Sequence, residues 1–363
     1  MGRLWRWLVV LAVVATLAAL PLVVPHLPLG RPTEAAALLT RMRASADRPY
    51  AGYAESSGSL DLPASDVLDD VSMLLGGRTQ VRVWWRAADD WRVDTLTPTG
   101  EHDQYAVHIG TATWDSEDNR MSYGEADLGR VRFPRSRDVV PPELAARLLG
   151  AATAERLTAL PPRLVAGGVA EGLRFRPDDP LGSIERVDVW SDGDSGIPVR
   201  VDVYGRGAQV AAMSSTFLDF STATPDPSTT RFVPPTGSRL GRGRSFDLVR
   251  AVGRAPAPAL PQHLLGYSRL PTTPGLEGVA QYGRGTTQFA VGVLPERAAR
   301  SLRQQLSFAV GSSALPEGVA LSVGPLALLL TDPAVTGRSM LLAGTLTREG
   351  LAMAAAGLRS ANR

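Results

Sequence analysis

Cysteine is absent from this 363-residue chain. Disulfides, thiolate metal sites, cysteine nucleophiles and a lipidated N-terminal cysteine are therefore excluded. Lysine is absent too, and the basic residues, 38 in all, are nearly balanced by 36 acidic ones, so nothing argues for a nucleic-acid partner. Histidine is scarce: His26, His102, His108 and His263. Only His102 and His108 lie near each other, and without a carboxylate at ligand spacing they read as a turn residue and a solvent-facing strand residue. No phosphate loop, dinucleotide glycine fingerprint, His-Glu-x-x-His or nucleophile elbow is present. Asp192-x-Asp194 lacks the later acid of a calcium loop and reads as a hairpin turn. The pairs Asp69-Asp70, Asp89-Asp90 and Asp178-Asp179 sit among turn and polar residues, where solvated loops outweigh acid–base roles. No catalytic set, metal site or cofactor motif emerges, and the chain is expected not to be an enzyme.

One long apolar run is present. Residues 8–24 are uncharged and almost wholly apolar, and Arg3 and Arg6 precede them. This is a signal peptide or a single membrane anchor. A spanning helix wants about 20 apolar residues, and Pro21 would bend the far end. No small-x-small cleavage site follows, which favours an uncleaved anchor on the cell membrane; cleavage would make the protein secreted. In both cases the basic end stays inside and everything after Arg31 is expected to be extracytoplasmic.

The strongest local signal is a repeated run. Residues 184–190 carry Arg186-Val187-Asp188-Val189, and residues 197–204 carry Arg200-Val201-Asp202-Val203. Strict alternation puts the valines on one face and the charges on the other, the mark of a half-buried strand. Residues 191–196 between them are turn formers. An antiparallel fold about Asp194 pairs Val187 with Val201 and Val189 with Val199, and sets Asp188 against Arg200 and Arg186 against Asp202. Each pair contributes roughly 0.2–1 kcal/mol. The arginines and aspartates are expected to pin the register on a wet, convex face.

The remaining pattern extends this sheet. Thr33 is placed as the N-cap of an amphipathic helix, with Ala36, Leu39, Met42 and Arg43 at helical spacing. Residues 50–59 read as a first strand, and 61–75 as a loop or short helix. Strands follow at 80–86, at 91–97 with a third Arg-Val-Asp element at Arg92-Val93-Asp94, near 105–109, at 111–115 and at 120–125. Pro141-Pro142-Glu143 opens a helix, and a second helical piece is expected over 153–160. Strands near 163–165 and 173–176 lead into the hairpin, and a long strand over 209–220 follows it. An Arg/Gly then Ala/Pro connector spans 238–261. Beyond it, two strands around a Gly-Arg-Gly turn, a helix from Pro295, three more strands and a last helix capped by Thr347 make a smaller α+β unit. The expected domains are thus 1–31, 32–237, 238–261 and 262–363.

In order, Pro49-Tyr50-Ala51-Gly52, Val81-Arg82-Val83-Trp84, Asp90-Trp91-Arg92-Val93-Asp94, Arg186-Val187-Asp188-Val189-Trp190, Gly196-Ile197-Pro198-Val199-Arg200-Val201, Phe217-Leu218-Asp219-Phe220 and Phe232-Val233-Pro234-Pro235-Thr236-Gly237 resemble the LolA-type domain of exported lipoprotein carriers and of the sigma-E regulators RseB and MucB. Gly278 to Val293 and Leu341-Leu342-Ala343-Gly344-Thr345-Leu346 resemble the small C-terminal domain of the RseB family, although Arg284 stands where that family has an aspartate. The resemblance implies an α+β fold: a curved antiparallel half-barrel with capping helices, plus the smaller domain. It further implies an apolar cavity for acyl chains, lipid or lipoprotein binding, and a membrane anti-sigma factor as partner. The alternative is a lipid or lipoprotein carrier of the LolA type. Trp84, Trp85, Trp91, Trp114 and Trp190 lie on or beside strands, either as core, as rings on arginine stems or as cavity wall. From alternation, the candidate cavity lining is Val81, Val83, Trp85, Trp91, Val93, Tyr105, Val107, Val187, Val189, Val199, Val201 and Phe217.

Overall fold

The two Arg-Val-Asp runs do form a hairpin, but its register differs from the one drawn above. A computed structural model describes residues 30–58, 76–108, 110–125, 135–241, 260–271 and 278–361. In it Val201 faces Val189, Val203 faces Val187, and Asp202 faces Asp188. The shift is two residues, so the valines keep their common face while every charge changes partner. One residue of the shift arises in the turn, where the Asp192 N–H donates to the Ile197 carbonyl, and the other at Pro198. Proline has no N–H for the ladder, and a bulge between Pro198 and Arg200 adds a residue to that strand. Inside the turn, the Asp192 carboxylate accepts from the Ser195 N–H and hydroxyl at 2.8 and 2.7 Å. Gly196, at φ 75°, lies so close to the Arg41 carbonyl that a Cβ would stand 3.0 Å from it.

This hairpin belongs to a twelve-stranded sheet. Its strands are β1 (Tyr50–Gly58), β2 (Arg78–Ala87), β3 (Asp90–Leu96), β4 (Glu101–Val107), β5 (Gly110–Asp115), β6 (Arg120–Glu125), β7 (Leu157–Val165), β8 (Gly168–Phe175), β9 (Ile184–Asp192), β10 (Pro198–Gly205), β11 (Met213–Ser221) and β12 (Arg239–Leu240). The spatial order is β12-β6-β5-β4-β3-β2-β1-β11-β10-β9-β8-β7. Two meanders, β1 to β6 and β7 to β11, are therefore joined where β1 pairs antiparallel with β11. Only β12, from the segment expected to be connector, pairs parallel, with β6. The second helical piece expected near 153–160 is not formed. A single 3₁₀ turn at Ala154–Arg156 runs straight into β7.

Helices α1 (Ala35–Ala44) and α2 (Pro141–Leu149) cover one face of this sheet. Leu38, Leu39 and Met42 of α1 and Leu144 and Leu149 of α2 pack on Leu173, Val187, Val189, Val201 and Val203. The Arg43 guanidinium donates to the Leu149 and Ala152 carbonyls at 3.1 and 3.0 Å, a cation on the carbonyl end of α2. Thr33 does not cap α1. Its hydroxyl donates to Glu171 instead, and Glu34 occupies the cap position without a side-chain bond.

The second sheet is formed by β13 (Val279–Arg284), β14 (Thr287–Val293), β15 (Ser312–Leu315), β16 (Gly318–Val323), β17 (Leu326–Thr331) and β18 (Met340–Gly344), in the order β13-β14-β18-β17-β16-β15. Helix α3 (Glu296–Phe308) buries Ala299 and Leu306 against Leu321, Leu328 and Leu330. Helix α4 (Arg348–Ala361) buries Leu351, Ala354, Ala355 and Leu358 in the cluster that holds Ala327, Leu329, Leu342 and Phe289. With both faces covered, Leu326 to Leu330 need not alternate with polar residues. The Thr347 hydroxyl accepts from the Gly350 N–H at 3.1 Å, the expected cap. The loop before β9 ties the two sheets together. Ser183 donates its N–H to the Thr345 carbonyl (3.0 Å), Thr347 donates to the Leu181 carbonyl (2.8 Å), and the Tyr267 hydroxyl donates to Asp179 (2.7 Å).

The outer face of the large sheet is not wet at its carboxylates. Asp188 and Asp202 are 2% and 3% exposed. Arg174, on β8, forks onto Asp188 with two bonds of 2.6 Å, while Arg200 binds Asp202 at 3.0 Å and the Ser214 hydroxyl donates to the same group. Arg174→Ala should therefore cost about 2–4 kcal/mol in urea denaturation, because it leaves Asp188 buried and unpaired. A double-mutant cycle should couple Arg174 strongly to Asp188 and leave Arg200 and Asp188 nearly additive. Strong coupling between Arg200 and Asp188 would restore the first register.

Candidate functional site

Sequence alternation places the β1, β2, β3, β9, β10 and β11 apolar residues on one side, and the structure gathers them in two adjoining clusters. Val187, Val189 and Val201 lie beneath α1 and α2. Val81, Val83, Trp85, Trp91, Val93, Val199 and Phe217 continue the surface with Tyr50, Ala54, Val140 and Ile197. All ten of these predicted lining residues are buried. Tyr50 and Trp85 stack at 5.9 Å, Trp85 and Trp91 at 6.2 Å, and the Phe217 ring meets Tyr50 edge-on at 6.0 Å. The four rings form an aromatic wall.

Gly52 makes that wall possible. A Cβ there would stand 2.7 Å from the Phe217 ring and 2.6 Å from the Asp219 carbonyl, so only glycine lets β1 approach β11 under that ring. A bulge between Tyr53 and Ala54 then resets the strand, leaving Ala54 opposite Phe217.

Two polar atoms in the wall are unsatisfied. The Tyr50 hydroxyl and the Trp85 indole N–H are buried and have no hydrogen-bond partner among the described residues. Burial, reinforced by the Glu143 carboxylate and opposed by Arg137, holds the Tyr50 hydroxyl well above its ordinary range, so it is a neutral donor. A buried donor without a partner costs about 1–3 kcal/mol. Trp91 differs, since its indole N–H donates to the Ala88 carbonyl at 3.2 Å while Arg137 lies over its ring at 4.8 Å. Neither orphan was legible in the sequence, because partner choice depends on how the rings stack.

Tyr105 and Val107 do not belong to this face. Tyr105 pairs with Arg92, and Val93 pairs with Gln104. Cross-strand partners share a face, so Tyr105 and Val107 point outward with the charges. The sequence places an apolar residue at each of these positions, but β4 sits one residue out of phase with the alternation drawn from its neighbours. Tyr105 packs on Phe232 at 5.0 Å, in the segment that returns across the outer face after β11. The tryptophans divide likewise. Trp85 and Trp91 face inward, whereas Trp84 lies by Arg92 (5.1 Å) and Trp190 under Arg163 (4.5 Å) on the outer side. Trp114, the partner of Asp103 on β4, is also outward.

The arrangement can hold an elongated apolar group by dispersion and burial, with one or two acceptors met by Tyr50 and Trp85. The predicted segment over 8–24, the uncertain stretch over 61–75 and most of the connector lie outside the described residues. Among the described residues no helix is long and apolar enough to cross a membrane.

No protein-family model matches the chain, and no curated protein matches it. Solved structures do. The Pseudomonas aeruginosa MucA/MucB complex matches with a TM-score of 0.51 at 15% identity, over 89% of this chain and 97% of that one. A structure of MucB in complex with the MucA(peri) fragment has a TM-score of 0.49, 15% identity and coverages of 88% and 97%. A LolA-superfamily protein from Nitrosomonas europaea has a TM-score of 0.24, 8% identity and coverages of 55% and 98%. The fold is thus that of the MucB/RseB type, a sheet-rich α+β protein with a large antiparallel sheet and few helices.

If the Tyr50 hydroxyl has no partner in the ligand-free protein, Tyr50→Phe removes only a desolvation cost. Its thermal unfolding midpoint should be unchanged or raised. A loss above about 1 kcal/mol would reveal a partner for the hydroxyl and end its role as a free donor.

Proposed function

We propose that this chain is a non-enzymatic regulator of the cell envelope, of the RseB type. It holds the acyl part of a lipid or lipoprotein signal against the inner face of its large sheet and binds the exported part of a membrane anti-sigma factor. The observation that carries this is the buried aromatic wall of Tyr50, Trp85, Trp91 and Phe217, beside the valines that α1 and α2 cover, with two unpartnered donors in it. In this reading an acyl chain packs on the wall in place of the contacts that now bury it, and an ester or amide carbonyl supplies the acceptors that Tyr50 and Trp85 lack. Likeness to the chain of a MucA/MucB complex supports the partner. The proposed tether rests on residues 8–24 alone. A carrier of the LolA type is the second reading, and the same wall favours it, since carriage needs only the first sheet.

Native mass spectrometry of the purified chain from Pro32 onward should show a co-purified acyl lipid, lost on Phe217→Arg. A ligand-free protein with the mass of the chain alone would count against both readings. Pull-down with a co-encoded membrane anti-sigma factor then separates them, because capture supports the regulator and lipid binding without capture supports the carrier.

A further inference from the structure

We propose that the outer face of β3 and β4 carries a binding site for one hard divalent cation of the calcium type, built from Asp94, Asp103 and Glu101. Nothing in the function proposed above requires it. Two carboxylate pairs face each other across neighbouring strands of the large sheet, and they differ in one respect. In the Asp188–Asp202 pair, Arg174 forks onto both oxygens of one group, and Arg200 and Ser214 supply both oxygens of the other. That pair is closed. In the Asp94–Asp103 pair, register partners on β3 and β4, Arg92 donates to Asp94 Oδ1 at 2.6 Å and to Asp103 Oδ2 at 3.0 Å, and the Tyr105 hydroxyl donates to that same Oδ2 at 3.1 Å. Asp94 Oδ2 and Asp103 Oδ1 are buried and accept nothing.

Neither of these oxygens is the one that Arg92 holds. Along the outer face the rows run Arg92–Tyr105, then Asp94–Asp103, then Leu96–Glu101, so Glu101 stands at the open end. One oxygen from each of the three carboxylates lies within 4.8 Å of the others. Arg92 cannot swing round to serve that side, because its guanidinium lies at 5.1 Å from the Trp84 ring and 4.9 Å from the Tyr105 ring. The side chains of Asp94 and Asp103 are 0% and 1% exposed, whereas Glu101, at 28%, leaves a route for water ligands. Three carboxylates with no nitrogen or sulfur donor select a hard cation that completes its shell with water.

The charge count agrees. Three carboxylates meet two guanidiniums, Arg92 and Arg82, and leave one negative charge within an aromatic surround. Arg82 reaches Glu101 at 2.6 Å, and its own Nε is buried without a partner. As the register partner of Asp94 on β2, Arg82 lies beside Asp94 while it holds Glu101, and it is the resident positive group that a cation must displace.

Terbium alone, added to the purified full chain, tests this, because Trp114 is the register partner of Asp103 and Trp84 flanks Arg92. Excitation of tryptophan should give saturable one-to-one terbium emission that calcium displaces. Asp94→Asn and Asp103→Asn should abolish it, and an amide there can donate to the facing carboxylate, so both variants should fold. Trp114→Phe should lower the emission without changing the midpoint, and Glu101→Gln should weaken binding roughly tenfold. Arg82→Gln should tighten binding several-fold, an effect of the opposite sign that misfolding cannot mimic. Absence of saturable emission, or emission indifferent to Asp103→Asn and Trp114→Phe, overturns the proposal.

Discussion

Everything in the larger unit depends on the pairing of β1 with β11. These strands are far apart in the chain, and their ladder converts two separate meanders into one surface. Closing so long a loop is entropically costly before any contact is made, so the seam must be well packed. Glycine at position 52 lets the Phe217 ring lie directly on the β1 backbone. Tyr50 and Ala54 then complete the join to Val81, Val83 and Trp85 on the other side. Without this seam, the inner-face valines of β9 and β10 and the aromatic residues of β2 and β3 would belong to different sheets.

The two faces use opposite physics. On the inner face the wall is apolar, and two of its polar atoms, the Tyr50 hydroxyl and the Trp85 indole N–H, are left without partners, which is destabilising. On the outer face charges are buried in quantity, and arginine stems and rings cover them. Arg92, Arg174 and Arg200 each serve a carboxylate while their aliphatic parts exclude water. A chain whose cations are all arginine suits this arrangement, since the planar fork satisfies two acceptors at once. The inner face is thus left apolar while the outer face carries the ionic stabilisation.

The smaller sheet constrains the larger through a short loop. Residues 179–183 leave β8, pair with the chain beside Thr345 and Leu346, and enter β9. Asp179 alone accepts from Tyr267 and sits near Arg284. The strand that begins at Ile184 is the one whose valines floor α1 and α2, so the position of the second sheet is transmitted directly to the inner face.

Most strands of both units were legible from alternation and turn residues, though the start of β7 read as helix and Ser312–Leu315 was missed; so were α2, α3 and the cap at Thr347, because these depend on neighbours along the chain. The resemblance carried by short ordered motifs reached the fold. What local pattern could not decide was pairing. The turn closes Asp192 onto Ile197, and the bulge at Pro198, which lacks an N–H, adds one residue more, so the hairpin register moved by two residues. Since two is the strand period, the valines stayed inside while Asp188 lost Arg200 and gained Asp202. On β4 the phase differed by one, and Tyr105 and Val107 turned outward. The sequence by itself determined which residues are apolar and at what period they recur. Only the tertiary structure decided which strands adjoin, and therefore which donors and carboxylate oxygens find partners and which are left free, because hydrogen bonds between strands join residues whose separation along the chain carries no signal.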